Sequence, residues 1–363
     1  EFKKKENERK INALQEINEA FFIYLTLHNS PNEIDIQNIQ MANEVCNAKM
    51  MRTYLLPNHT DETGIKYTLN PIKLTCEFTS CSGERRDIII PRFIDHEGQQ
   101  YIIKGIDLSN TYNIRNLTFA EDSEVESLYG ECYGQRFEGI EIPASVSSID
   151  EKCFLNLASG TRISVSSENK YFNVINDGML VGKREANSSD FDVIIWAPRE
   201  SQRLTIPANI KKLSSHCFEN CQLLEQVEFN EESQLEEICS YAFSKCAIRS
   251  IAIPKTVTRI DDYAFESCTQ LREIEFHPES QLRFIGNNVF NSSILDRIEI
   301  PAGVLKLKND WFESIPPLTQ ISVSPSNHHF KVINDGMLAY REDIESDEFD
   351  TILFAPRNAE QLT

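Results

Sequence analysis

The chain has 363 residues, a formal charge of −20 and a sequence pI near 4.8, so duplex nucleic acid and anionic membrane surfaces would repel it. No run of eighteen apolar residues is present, which leaves no membrane-spanning helix in the sequence. With only 13 glycines and no His-Glu-x-x-His, Gly-x-Ser-x-Gly or dinucleotide fingerprint, the chain offers no catalytic motif and no cofactor-binding motif.

In chain order, residues 1–75 read as a helical N-terminal segment or cap. Ile11, Leu14, Ile17, Phe21 and Leu25 recur at helical spacing, predicting a helix from about Glu6 to Leu27. A second helix is expected from Glu33 to about Tyr54, stopped before Pro57. Within this segment Lys3, Lys4 and Lys5 are balanced by Glu1, Glu6 and Glu8 and read as a solvated helix end. The pair of helices would either form a separate domain or, the preferred reading, cover the exposed apolar end of the first repeat coil.

Residues 76–363 are repetitive. Pro207, Pro254 and Pro301 are 47 apart, and Phe218, Phe243, Phe265, Phe290 and Phe312 are spaced alternately by 25 and 22. Two kinds of coil therefore alternate. Each carries a short run with apolar residues two apart, such as Ile274 and Phe276 or Ile298 and Ile300, the period of a strand with one face inward. In the first kind a proline follows the run and ends it, because proline has no N–H to give a ladder. Val257, Ile260, Ala264 and Phe265 then supply apolar groups for the coil interior. One coil cannot bury such a face alone, whereas stacked neighbours can.

A longer repeat overlies this one. Residues 140–205 and 298–363 align without a gap, with thirty of sixty-six positions identical, a mark of duplication. Each copy carries an inserted hairpin, residues 166–203 and 324–361. In the first, Phe172 to Ile175 and Met179 to Val181 read as strands around Asn176-Asp177-Gly178, whose glycine supplies the positive φ of a tight turn. Phe191 to Pro198 reads as a third strand. The second copy stops at Leu362-Thr363, the counterparts of Leu204-Thr205 that lead into another coil, so the expectation is an array truncated at its C-terminus.

The segment Ile251 to Leu271 satisfies Ile-x-Ile-Pro-x-x-Val-x-x-Ile-x-x-x-Ala-Phe-x-x-Cys-x-x-Leu at every named position. It resembles the BspA-like leucine-rich repeats of bacterial and protist surface proteins, and the resemblance runs from about Ile88 to the end. Departures fall at Leu157, Ser293 and Ile315 in the cysteine position and at Trp311 before Phe312. The resemblance implies a right-handed, β-rich (α+β) repeat solenoid of short strands with inserted β-hairpins. It also implies a cell-surface or secreted setting and a non-enzymatic protein-binding role of adhesion or antigen type, the partner being a host or matrix protein. An intracellular setting is left open. An alternative makes this the recognition or regulatory region of a longer enzyme, such as a protein kinase, with catalysis outside these residues.

The ten cysteines fit the repeat rather than a metal. Cys221, Cys246 and Cys268 come three residues after a repeat phenylalanine, while Cys153 and Cys217 directly precede one, so these five are expected to pack as small buried hydrophobes. Cys76 and Cys81 have a spacing that leaves a bridge or metal site open but weakly signalled. Cys46, Cys132 and Cys239 have no readable spacing. The pair His328-His329 aligns with Lys170-Tyr171, which argues against a shared metal or catalytic role. Asn58, Asn116, Asn187 and Asn291 head glycosylation triplets, whose use depends on compartment.

Two features carry the binding expectation. The outward residue between each inward pair is Glu141, Ser164, Thr205, Glu228, Ala252, Glu275, Glu299 or Ser322, with Glu138, Glu225, Glu273 and Asp296 close by. Stacked at roughly 4.8 Å per coil, these form an acidic ribbon of about 40–50 Å suited to an extended basic partner or to one bridged by divalent cations. The same charges would also keep an exposed sheet soluble. The other feature is the polar loop of each hairpin, with Lys183, Arg184, Glu185 and Asp190 in one copy and Arg341, Glu342, Asp343 and Glu348 in the other. These loops diverge on a matched scaffold and either set specificity or are unconstrained surface.

Overall fold

The computed structural model describes residues 58–84, 86–132, 136–308, 320–341, 349 and 351–354. They form a β-solenoid of about ten turns. On one side, ten outward-facing strands stack in chain order: Arg86–Ile90, Ile114–Phe119, Gly139–Ile142, Arg162–Val165, Arg203–Ile206, Gln226–Phe229, Ser250–Ile253, Glu273–Phe276, Arg297–Ile300 and Gln320–Val323. Their burial alternates as the period-two reading requires, for example in Ser250–Ile253, where Ile251 and Ile253 are buried and Ala252 is exposed.

The proline period shapes this face. Arg203–Ile206 pairs in parallel with Gln226–Phe229, Ser250–Ile253 with Glu273–Phe276, and Arg297–Ile300 with Gln320–Val323. Where no proline intervenes, the residue after a strand donates to the previous coil, as Ser166 does to the Ile142 carbonyl and Ser324 to that of Ile300. Pro254 and Pro301 have no N–H to give to Phe229 and Phe276 by the same register. From Arg203 onward the ladder is continuous within each 47-residue unit and interrupted between units, whereas Gly139–Ile142, which also precedes a proline, still pairs with Ile114–Phe119.

Opposite lies a parallel ladder of two-residue strands, Lys212–Leu213, Glu237–Ile238, Arg259–Ile260, Phe284–Ile285 and Lys306–Leu307. Between the two faces runs a third hydrogen-bonded row. His216, Phe218 and Asn220 donate N–H to the Ser240, Ala242 and Ser244 carbonyls of the next coil, and later coils repeat this from Tyr241, Phe243, Lys245 and from Tyr263, Phe265, Ser267. The outer two donors of each set have left-handed φ between 54° and 64°, a conformation costly for residues with a β-carbon. Regular coil-to-coil bonding offsets that cost. Inside, Phe218, Phe243, Phe265 and Phe290 stack at 5.0, 5.2 and 5.8 Å, which is the phenylalanine period seen in three dimensions.

Two apolar cores result, one running from Ile65 to Trp196 and one from Met179 to Leu338. The first insert joins them. Its strands Phe172–Ile175, Met179–Gly182 and Val193–Trp196 form an antiparallel sheet. Phe172, Leu180 and Trp196 belong to the first core, Met179, Val181 and Ile194 to the second. In the predicted turn, Asp177 and Gly178 both adopt left-handed φ, 55° and 85°. A β-carbon on Gly178 would also approach Pro198 Cγ to 3.1 Å.

The helical N-terminal segment is not supported. Residues 58–75, within its expected bounds, contain strands Asn58–Thr60 and Ile65–Asn70, which pair antiparallel with one another and then with Thr75–Cys81. Alternation of Ile65, Tyr67 and Leu69, all buried, is the strand signal. The two expected helices, 6–27 and 33–54, lie outside the described residues. Cys76 and Cys81 are free and buried; five steps along one strand span about 16 Å, beyond disulfide reach.

Candidate interaction surface

The outward residues of the long-strand face do form a row. Register places Ser164 beside Glu141, Thr205 beside Glu228, Ala252 beside Glu275 and Glu299 beside Ser322. Glu228, Glu275 and Glu299 are exposed and Glu141 half-buried. Among the described residues none of these four carboxylates has a cationic partner, and Glu228 accepts only from Gln226 Nε2 at 2.7 Å.

The neighbouring acidic residues differ. Glu273 is paired with Arg297 at 3.0 Å, Glu225 with Arg249 at 3.3 Å and Asp296 with Arg272 at 3.9 Å. Upstream, Arg115 bonds Asp87 at 2.6 Å; with Asn116 it holds the Asp87 carboxyl down at about 2, and Glu138 lies in the field of the same guanidinium. The acidic ribbon thus separates into a compensated edge, holding Glu138 and Glu273, and an uncompensated middle row. Coil-to-coil register decides which is which, and no local spacing carries it.

An open groove of about 530 Å³ crosses this face over Glu273–Phe276, Arg297–Ile300 and Gln320–Val323. Glu275, Glu299 and Ser322 line it together with Phe276 and His277. It spans the ladder interruption at Pro301, between Glu273–Phe276 and Arg297–Ile300.

The insert loops are less free than their composition suggests. Arg184 Nη1 and Nη2 reach Glu236 at 2.5 Å and Glu237 at 2.8 Å, while its N–H donates to Asp192 Oδ1. Lys183 lies 5.1 Å from the centre of the Phe191 ring. Arg341 repeats that contact with Phe349 at 4.4 Å, and Lys331 adds a second cation at 5.8 Å. Asp190 accepts from Ser189 Oγ, and Glu185 is exposed. Glu342, Asp343 and Glu348 lie outside the described residues. His329 donates its N–H to Asn327 and joins no metal cluster among the described residues.

One cluster had no sequence signal. Along the left-handed row, His216, Tyr241 and Tyr263 stack at 5.0 and 4.8 Å. Below them Glu219, 8% exposed, takes His216 Nδ1 at 2.5 Å and Lys245 Nζ at 2.8 Å. Burial alone would raise the Glu219 carboxyl, yet the His216 and Lys245 hydrogen bonds outweigh it and leave it below the usual range. Several buried thiols behave as packing groups: burial pushes Cys76, Cys132, Cys239 and Cys268 up to about 12.

Comparison with known proteins agrees with the architecture. The family model for the BspA type leucine rich repeat region matches in six copies, over residues 96–179 and 198–349. Among curated proteins none matches the chain. Solved structures similar to it include a leucine rich cell surface protein from Faecalibacterium prausnitzii, at 18% identity over 74% of this chain and 95% of that one, TM-score 0.35. A leucine-rich repeat protein from Bacteroides ovatus matches at 19% identity over 72% and 70%, TM-score 0.44. The pneumococcal vaccine antigen PcpA matches at 16% identity over 75% and 94%, TM-score 0.34.

Proposed function

The chain belongs to the BspA-type leucine-rich-repeat family, and we infer from that membership that it is a non-enzymatic scaffold whose long-strand face binds an extended, basic segment of a partner protein. The carrying observation is the middle row, Glu141, Glu228, Glu275 and Glu299, which lacks cationic partners among the described residues while the adjacent edge is balanced by arginines. A protein that needed only solubility would gain it from either row. Leaving one row uncompensated along a groove gives steering and register to a partner carrying lysine or arginine at every second or third position. A cell-surface or secreted setting is part of this reading and rests on the family. Among the described residues no helix is long and apolar enough to cross a membrane.

The test compares two variants against a lysine-rich peptide, with affinity measured as a function of salt. Replacing Glu228, Glu275 and Glu299 with Gln is expected to weaken binding and flatten the salt slope. Replacing Glu225 and Glu273 with Gln is expected to leave both nearly unchanged. Equal effects from the two sets would remove the middle row from the function.

A further inference from the structure

The N-terminal sheet brings two histidines together from distant strands. Its first half runs in the order Asn58–Thr60, Ile65–Asn70, Thr75–Cys81, Gln99–Asp107 and Phe93–His96. In a flat sheet the outer two of these strands would stand about 19 Å apart, four steps of roughly 4.8 Å. Instead the sheet curls, and His59 Nδ1 on the first edge meets His96 Nδ1 on the last at 3.1 Å. Their ring centres are 5.0 Å apart with planes at 69°. Strand alternation sets the direction: His59 lies opposite buried Tyr67, and His96 is two residues from buried Ile94, so both rings project from the face that carries the core. Tyr67 flanks His59 and Tyr101 flanks His96, each at 6.3 Å between ring centres. Both histidines are half-buried, which places them at the rim of this core with access from solvent.

Among the described residues no strand pairing joins the two edges, so the imidazoles meet across an unpaired seam. Two neutral imidazoles facing Nδ1 to Nδ1 share one proton, which the second nitrogen accepts on its lone pair. Two imidazole nitrogens bound at about 2.0–2.1 Å to one ion stand ~3.3 Å apart in tetrahedral geometry and ~2.9 Å apart at a right angle. The separation of 3.1 Å lies between these values.

We propose that His59 and His96 form a site for one divalent transition-metal ion of the copper and zinc class, bound through both Nδ1 atoms. On binding, the shared proton is given up by Nδ1 of the donor ring and that ring's Nε2 takes one from solvent, so both rings stay neutral and both seam-facing nitrogens offer lone pairs. The ion then fastens Asn58–Thr60 to Phe93–His96 through residues 37 apart in the chain. Among the described residues no third histidine, cysteine or carboxylate completes the set. Water fills the remaining positions, and the affinity is lower than that of a four-ligand structural zinc site. Imidazole ligands select copper, zinc or nickel over calcium and magnesium, which require oxygen. The site is independent of the acidic row on the long-strand face.

The test adds one equivalent of copper(II) to the native chain at neutral pH and reads its electron paramagnetic resonance. Nitrogen hyperfine coupling is expected in the wild type, lost in His59→Gln and in His96→Gln, and kept when His328 and His329 are both replaced by Gln. Zinc followed by calorimetry should bind one to one, at least about tenfold more weakly in either of the first two variants. Zinc should also raise the thermal midpoint of the wild type but not of those variants. Circular dichroism checks that each variant keeps its strands. If either does not, carbethoxylation of the wild type decides, because zinc must protect His59 and His96 from the reagent. Copper without nitrogen coupling, binding that survives both substitutions, or carbethoxylation of these histidines unchanged by zinc overturns the proposal.

Discussion

The two inserts share their sequence and their local structure but not their surroundings. Both have three strands, the same turn and a β-bulge at matching positions, between Leu180 and Val181 and between Leu338 and Ala339. Yet Ile194 is fully buried whereas its counterpart Ile352 is 53% exposed. The first insert places one face on each core; the second places Phe330 and Leu338 on the core before it. An insert sheet is thus a two-faced connector, and the stack around it, rather than its own residues, decides how much apolar surface it buries.

The largest expected effect comes from that contrast. Ile194→Ala should cost about 2–5 kcal/mol in denaturant unfolding, and Ile352→Ala less than ~0.5 kcal/mol. Similar losses would mean that the inserts are equally embedded. A sharper comparison uses what they share. Asn169 donates to the Pro143 and Val146 carbonyls and accepts from Tyr171 and Phe172, and Asn327 makes the same four bonds to Pro301, Val304, His329 and Phe330. Alanine at either position should cost roughly 1–3 kcal/mol, because buried backbone groups lose their partners, and the two losses should agree. Disagreement would show that the anchors, and not only the outer faces, differ.

The coil after the first insert also carries a pH-dependent element. Glu219 has a depressed carboxyl, so its contribution is complete above the ordinary carboxylate value of ~4.3 and fades as pH falls through the lower folded value. Glu219→Gln should flatten the acid limb of stability by on the order of 1 kcal/mol; an unchanged limb would assign the acid sensitivity elsewhere. A small effect should be common to both inserts. Lys183→Ala and Arg341→Ala each remove a cation over a loop phenylalanine and should cost about 0.5–1 kcal/mol, read as a small fall in thermal midpoint.

Much of this was legible in the sequence. Ile251 to Leu271 announces a coil, the prolines announce its strand end, and Val-Ile-Asn-Asp-Gly-Met-Leu announces the hairpin turn in both copies, because each depends on near neighbours in the chain. Repeat spacing gave the buried positions of Cys221, Cys246 and Cys268 in the same way. The left-handed row was not legible: Tyr241 and Tyr263 are not residues that favour positive φ, and hydrogen bonds to the next coil hold them there. Arg184 reads as a free loop charge until the fold brings Glu236 and Glu237 to it from more than fifty residues away. The strands within residues 58–75 were legible in principle from Ile65, Tyr67 and Leu69, but were absorbed into a helical segment read from the residues before them. For the acidic ribbon, period two gave the outward direction of Glu228, Glu275 and Glu299, while the arginines that neutralise Glu225 and Glu273 come from adjacent coils.

The division of that ribbon into a balanced edge and an open row is the claim on which the binding role depends. Zero-length carbodiimide cross-linking of the native chain to a lysine-rich peptide, mapped by mass spectrometry, tests it most directly. Cross-links concentrated at Glu228, Glu275 and Glu299 are predicted; cross-links at Glu236 and Glu237 on the opposite face, or spread evenly over the exposed carboxylates, would contradict it.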